Sequence, residues 1–319
     1  MGNKICVIGV YFGKLPAYFP LWLTSCKHNP TIDFVLFTDQ SLENLPKNVL
    51  NHPMTLEKMK SLADQALGLN TALDRPYKCC DFKAVYGVIF QEFISDYDYW
   101  GCCDFDLIFG DIQGMCDRYD LYRYDRFLGL GHLSLFRNTP EVNNRYLCDG
   151  GLVNYITAFT TPKASAFDEV PGLTRIYIKN NFPIFLKRIF ADIAIVYHRF
   201  RVVDVYPYDT PPKNYRYQVF YWENGKVFRA FYSNGKLQTE EYMYVHFKKR
   251  PNFPVSFDAD RTKAFYITNK GFFPKDAEIT KEIIHEMNPY LGCVYETFEN
   301  LLYASKKLWG RVVRSLGRK

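Results

Sequence analysis

Two carboxylates one residue apart, Asp104 and Asp106, close the apolar run Tyr99-Trp100-Gly101-Cys102-Cys103. If the backbone turns at a strand end, both can ligate one hard cation, Mg2+ or Mn2+, and leave coordination positions for diphosphate oxygens and water. A cation there offsets the negative charge that builds on a diphosphate leaving group when a sugar-phosphate bond breaks. An Asp-x-Asp alone is common and is usually a solvated turn. Its place after a β-α-β-α pattern favours the metal reading, because ligands of open α/β sheets bind at the carboxyl ends of strands.

Those carboxylates need a sheet to hold them. Residues 4–11 (KICVIGVY) have the short, apolar, β-branched composition of a buried strand, broken by Phe12-Gly13-Lys14-Leu15-Pro16. A helix over 18–26 and a second buried strand over 33–39, after the Asn29-Pro30 turn, complete a β-α-β opening with a parallel sheet. Helical spacing over 55–67 and 82–94, a strand over 97–103, a short helix after Asp111 and a strand over 127–130 continue the alternation. Between residues 215 and 248, Asn224-Gly225 and Asn234-Gly235 separate three aromatic, alternating runs. This predicts an antiparallel β-meander whose last strand, 241–247, delivers His246.

The 319 residues, 48% hydrophobic, suffice for one large domain with a substantial core. The most hydrophobic stretch, 182–200, is interrupted by Lys187, Arg188 and Asp192, so no membrane span is expected. Met1-Gly2-Asn3-Lys4 lacks the apolar core of a signal peptide, and the reading is a cytoplasmic protein. Nine cysteines, with adjacent pairs at Cys79-Cys80 and Cys102-Cys103, suit neither a disulfide framework nor a structural zinc site and read as reduced core thiols. Six of the 40 Lys and Arg lie in residues 304–319, which hold no acid, and the remaining 34 balance the 34 Asp and Glu. That pattern argues against nucleic acid as a partner and points to one basic terminal element.

Three segments together carry a family resemblance: Tyr77-Lys78-Cys79-Cys80-Asp81-Phe82-Lys83, the stretch from Tyr99 through Asp104-Phe105-Asp106 to Ile112, and Tyr244-Val245-His246-Phe247-Lys248-Lys249-Arg250. Over most of residues 1–255 the chain resembles bacterial capsular and exopolysaccharide glycosyltransferases of the GT-A type. The resemblance implies a GT-A-like, Rossmann-type, mostly parallel sheet flanked by helices, with the antiparallel β-meander as an insertion and a C-terminal amphipathic helix. It also implies a UDP-sugar donor, a metal held by Asp104 and Asp106, and His246 as a further ligand through its neutral imidazole. A lone histidine would otherwise read as a packed core residue.

By the same analogy the nucleoside lies against the first strand and its loop, where Tyr11 or Phe12 stacks on the base and Gly13 admits a close approach. Asp39 would accept a base or ribose hydrogen bond. Lys248 and Lys249 are candidate ammonium groups for the diphosphate, and only one points inward because side chains alternate along a strand; a solvated strand end is the other reading. Asp81 is either a helix N-cap or, with Lys83, a sugar or phosphate contact. An inverting transferase needs a carboxylate base, for which Asp168 and Glu169 are the candidates and Asp149 the runner-up, whereas a retaining one relies on the leaving phosphate. His132, Arg137 and Asn138 fall where an acceptor sugar or its lipid phosphate would be gripped, or in a plain connecting loop.

From Leu301 on, Leu302, Ser305, Leu308, Trp309, Val312, Val313 and Leu316 share one helical arc, and Lys306, Lys307, Arg311, Arg314 and Arg318 share the opposite one. Such a helix lies in an anionic membrane surface or packs on protein. The expected organisation is a catalytic domain over 1–295, containing the meander at 215–248, and a basic amphipathic helix over 296–319. The expected function is metal-dependent transfer of a hexose, galactose-type, from a UDP-sugar to a growing lipid-linked cell-surface polysaccharide, on the inner face of the cell membrane. The alternatives are a non-catalytic nucleotide-sugar or carbohydrate-binding protein of the same fold and a peripheral membrane adaptor working through its tail.

Overall fold

Apolar residues that alternate along Ile5–Tyr11 (β1) feed two cores at once: Ile5 and Val7 pack on one face, Cys6 and Ile8 on the other. A strand buried on both faces belongs in the middle of a parallel sheet. β1 indeed lies between Ile32–Thr38 (β2) and Tyr99–Cys103 (β4), and Val49–Pro53 (β3) continues the sheet beyond β2, all parallel. In this computed structural model residues 3–195, 197–208, 211–248, 250 and 252–316 are described, with 306–316 as backbone. Parallel neighbours need crossovers. Phe19–Lys27 (α1) joins β1 to β2, and Leu56–Leu67 (α2) lies between β3 and β4. α2 is fixed by a Thr55 side chain that accepts from the Lys58 amide and by Gly68 in the left-handed conformation.

The order β3-β2-β1-β4 turns the chain back across the sheet at β1. That reversal opens a crevice between the carboxyl ends of β1 and β4, the place where open α/β sheets bind ligands. Beyond β4, Leu107–Phe109 (β5) leaves for another sheet, while Arg126–Leu130 (β6), Leu133–Arg137 (β7) and Ile184–Phe185 (β8) complete the seven-stranded sheet in the order β4-β7-β6-β8. Ala191–Asp192 (β9) also joins the second sheet.

The meander forms as expected. Gln218–Glu223 (β10), Lys226–Ser233 (β11) and Lys236–Tyr242 (β12) pair antiparallel through turns in which Asn224, Gly225, Asn234 and Gly235 all have positive φ. Its final strand differs from expectation. Met243 breaks the run, and Tyr244–His246 (β13) pairs instead with β5 and β9 in a separate three-stranded sheet. Ala264–Thr268 (β14) and Gly271–Pro274 (β15) enlarge the meander to five strands. The helix expected over 82–94 is a series of short helical segments, Cys79–Phe82, Lys83–Val85, Tyr86–Ile89 and Gln91–Ile94, which still bury Phe82, Val85, Tyr86, Ile89 and Phe90 at helical spacing.

The architecture is mixed α/β, with a mostly parallel central sheet flanked by helices and an antiparallel sheet beside it. All nine cysteines are free, and burial pushes the thiols of Cys79 and Cys102 up to about 12. Among the described residues no helix is long and apolar enough to cross a membrane.

The acidic turn is aimed by Phe105. Its ring is buried, stacks on Trp22 at 4.9 Å and meets Tyr11 edge-on at 5.1 Å. A Cβ at Gly9 would come within 2.9 Å of that ring and of Leu36. Gly9→Ala is therefore expected to lower unfolding stability by about 1–3 kcal/mol through overpacking. Urea denaturation measures it, and an unchanged midpoint would show that the Phe105 wedge is not tightly seated.

Candidate functional site

With Phe105 driven into the core, the side chains before and after it face the crevice. Asp104, tied by its amide to the His132 carbonyl at 3.0 Å, keeps its side chain 38% exposed, whereas that of Asp106 is 11% exposed. The register of the three-stranded sheet then builds the rest. β5 starts one residue after Asp106 and pairs antiparallel with β13, so that His246 lies opposite Leu107 and the Phe247 amide donates to the Asp106 carbonyl at 3.1 Å. β9 pairs with the other edge of β13 and sets Asp192 opposite His246.

His246 consequently sits between two acids. Its Nδ1 is 2.8 Å from Asp192 and its Nε2 is 3.4 Å from Asp106. Burial works against an imidazolium there, but the two carboxylates outweigh it and raise the pKa to about 10. Asp192 is held far below the usual carboxylate range: burial opposes this, but the His246 hydrogen bond and charge, with the Lys248 ammonium at 3.0 Å, prevail. Asp106 moves in the same direction, mainly through His246 against the cost of burial. Asp192 also settles which ring nitrogen of His246 faces Asp106, a task that acidic partners perform for metal-ligating histidines.

On the other wall, Lys83 is buried and its ammonium donates to Asp104 and, at 2.8 Å, to the Gly131 carbonyl. Burial would lower its pKa, yet Asp104 and Asp168 raise it. The Asp168 carboxylate rests against Gly131, where an added Cβ would lie 1.8 Å from its oxygen. Asp168 and Glu169 both have raised pKa values, from burial first and then from crowding by other acids. The structure thus brings Lys83, Asp168 and Glu169 to the cluster, with the Asp168 carbonyl held by the buried Arg126 at 2.9 Å. Asp81 takes a different place. It is fully buried, pairs with Lys78 at 2.7 Å, and accepts from the amides of Ser165 and Phe167, so it anchors the loop carrying Asp168 and has no free face for a ligand.

The nucleotide-side candidates divide. Tyr11 remains half-exposed beside Phe105, but Phe12 is buried in the opposite core and offers no stacking face, since adjacent strand residues point to opposite sides. Gly13, at φ +95°, donates its amide to both oxygens of the exposed Asp39 at 2.9 and 3.1 Å, which ties the loops after β1 and β2 together. Lys248 is committed to Asp192, and Lys249 lies outside the described residues. Arg250, two residues on from Lys248, donates to the Phe247 carbonyl, lies over Phe200 and Phe253 at 5.0 and 5.4 Å, and is close enough to feel Asp106 and Tyr18.

Of the three acceptor-side residues, only His132 belongs here. Its buried ring lies 4.5 Å from that of His246, its Nδ1 is 2.7 Å from the Tyr244 hydroxyl, and its Nε2 has no hydrogen-bond partner among the described residues. Arg137 and Asn138 sit at the far end of β7, bound to Asp125 and to the Ile94 and Tyr97 carbonyls. Asp149 is exposed on the surface, with the Asn180 amide on its backbone carbonyl.

Asp104, Asp106 and His246 present ligand atoms all within 4.8 Å of one another, as do His132, Asp192 and His246. Among the described residues, five carboxylates (Asp104, Asp106, Asp168, Glu169 and Asp192) gather around Lys83, Lys248 and His246, with Arg250 close to Asp106, and crowding by the other acids adds to burial in raising the pKa values of Asp168 and Glu169. Two carboxylates and an imidazole in such a field fit a divalent cation of the Mn2+ or Mg2+ type. Sequence reasoning did not find Asp192 or Arg250. A lone acid inside the apolar stretch 182–200 was the signal for the first, and the basic run ending at Arg250 for the second.

Residues 7–276 match a family of unknown function (DUF6625), and the chain belongs to that family. No curated protein matches it. Among solved structures it is similar to mouse xyloside xylosyltransferase 1 in its apo form, at 7% identity over 60% of this chain and 88% of that one, with a TM-score of 0.32. It is also similar to the glycosyltransferase GlyE of Streptococcus pneumoniae TIGR4, at 13% identity over 46% and 38% with a TM-score of 0.25. The galactosyltransferase LgtC, in complex with donor and acceptor sugar analogs, aligns at 10% identity over 59% and 75%, with a TM-score of 0.27.

The charge arrangement sets a pH dependence. His246 has a folded pKa near 10 against 6.5 in an unperturbed chain, so its ionic contribution to stability is complete below about pH 6.5 and fades as pH rises toward 10. In EDTA, His246→Gln should lower the unfolding midpoint most at pH 6 and progressively less up to pH 10. A difference constant across that range would refute the ion-pair reading.

Proposed function

We propose that this member of the family is a metal-dependent glycosyltransferase that moves a hexose, galactose-type, from a UDP-sugar to a glycan acceptor. The observation that supports it most is the convergence of Asp104, Asp106 and His246 at the crevice between β1 and β4. These three would hold Mn2+ or Mg2+, which supplies electrostatic stabilisation of the nucleoside diphosphate as the sugar leaves. Asp192 fixes the His246 ring, and Lys83 fixes Asp104.

The chain's own groups divide the crevice into two sides. Tyr11, Tyr18 and Arg250 lie toward β1, where Tyr11 offers a ring to the base and Arg250 a planar, permanently charged donor to phosphate oxygens. Asp39 offers an exposed carboxylate for ribose hydroxyls. Lys83, Asp168 and Glu169 lie on the opposite side and meet the sugar and the acceptor. A carboxyl whose pKa is raised is a stronger base once ionised, which suits it to take the proton of an acceptor hydroxyl.

The acceptor side connects to the membrane in this reading. Helix Cys293–Leu316 is tied to the body by Arg199 to Glu296 and by His198, whose Nδ1 is 2.8 Å from the buried Glu299, while Val294, Phe298, Leu301 and Leu302 stay exposed. That apolar stripe, continued by the basic sequence after Ala304, fits an anionic bilayer on the inner face of the cell membrane and a lipid-linked acceptor.

A panel of UDP-sugars assayed for metal-dependent UDP release tests the catalytic reading. Asp106→Asn should cut release by at least about a hundredfold, the scale of losing electrostatic stabilisation at a transition state, and should weaken Mn2+ binding with folding intact. Binding of a UDP-sugar without turnover would favour the non-catalytic alternative, and neither binding nor turnover with any sugar would sink both. Phe298→Glu with Leu301→Glu is expected to abolish co-sedimentation with phosphatidylglycerol vesicles; retained sedimentation would place the membrane contact elsewhere.

A further inference from the structure

We propose that Arg175, Ile178, Lys179 and Tyr206 form a binding site for an anionic saccharide, which is the acceptor of the transfer reaction. The proposal rests on that reaction for its role, but the site is built independently of the metal cluster.

Helix Leu173–Lys179 springs directly from the loop that carries Asp168 and Glu169: the Leu173 amide donates to the Phe167 carbonyl at 2.7 Å and the Thr174 amide to that of Glu169 at 3.2 Å. Gly129 on β6 holds both walls of the groove. Its carbonyl accepts from the Thr174 hydroxyl, and its amide donates to the Tyr208 hydroxyl at 2.8 Å. One residue beyond Thr174 is Arg175, and two before Tyr208 is Tyr206. Between them lies a surface cavity of about 380 Å³ lined by Arg175, Ile178, Lys179 and Tyr206.

The lining matches an acidic sugar. Arg175, Ile178 and Lys179 fall at i, i+3 and i+4, one face of the helix. Two cations at that spacing repel, and among the described residues neither has an acidic partner; Asp204, two residues before Tyr206, is paired with Arg188. An anion in the cavity would satisfy both, with the guanidinium of Arg175 suited to a carboxylate or phosphate. Tyr206 is 66% exposed. An aromatic ring held out beside two cations gives a sugar ring a face to lie on, and Ile178 gives it an apolar floor. Neutral saccharides would use only the ring and the floor.

Binding can be measured with neither donor nor metal present, by calorimetry with three probes: a glucuronate-containing tetrasaccharide, a phosphorylated mannose oligosaccharide and neutral maltotetraose. The expected result is tighter binding of the two anionic probes, weakened by salt. Arg175→Gln with Lys179→Gln, folding checked by an unchanged thermal midpoint, should weaken the anionic probes at least about tenfold, the scale of one lost charge-assisted contact, and leave maltotetraose unchanged. Tyr206→Ala should weaken all three. The preferred anionic probe identifies the acid as carboxylate or phosphate. No preference for charge in the wild type, or no loss in the double variant, overturns the proposal. Because the probes bind without a nucleotide sugar, absence of UDP release would refute the transfer reaction while leaving this result standing.

Discussion

His246 meets Asp106 because three short strands share one register. β13 is only Tyr244–His246, yet it is hydrogen-bonded on one edge to the strand that leaves the acidic turn and on the other to the strand that ends in Asp192. A slip of one residue would turn His246 away from both acids, since side chains alternate along a strand. Buried neighbours resist that slip, because Tyr244 and Val245 pack into two different apolar clusters. The site is thus specified by packing that has no chemical role of its own.

Around this row the protein assembles more negative charge than it neutralises. Buried carboxylates are costly unless paired, and the surrounding elements divide that work. Lys83 takes Asp104, Lys248 and His246 take Asp192, and Arg126 restrains the backbone at Asp168. Lys78 and Asp81, fully buried as a pair, hold the loop that brings Asp168 and Glu169 in. What remains uncompensated is concentrated at the crevice, where a cation and a phosphorylated ligand would meet it.

Much of this was legible in the residues. The β-α-β opening and the strand into Asp104 announce themselves by apolar runs with clear punctuation, and the meander by two Asn-Gly turns. Other features were hidden by short range. Nothing local marks Met243 as the point where one sheet ends and another begins. Phe12 and Tyr11 look interchangeable until the pleat assigns them to opposite faces. Asp81 resembles a cap because its partners, Ser165 and Phe167, are far along the chain. Asp192 looks like an interruption of an apolar stretch, although an acid buried there has to have a partner.

The Phe105 wedge carries a consequence for motion. An acidic turn on a flexible loop can open by itself, but this one is centred on a ring stacked against Trp22 and packed beside Phe19 in the main core. Its local opening free energy is therefore close to that of unfolding the core. Breathing that admits a donor and releases a product must therefore come from elements other than the acidic turn itself.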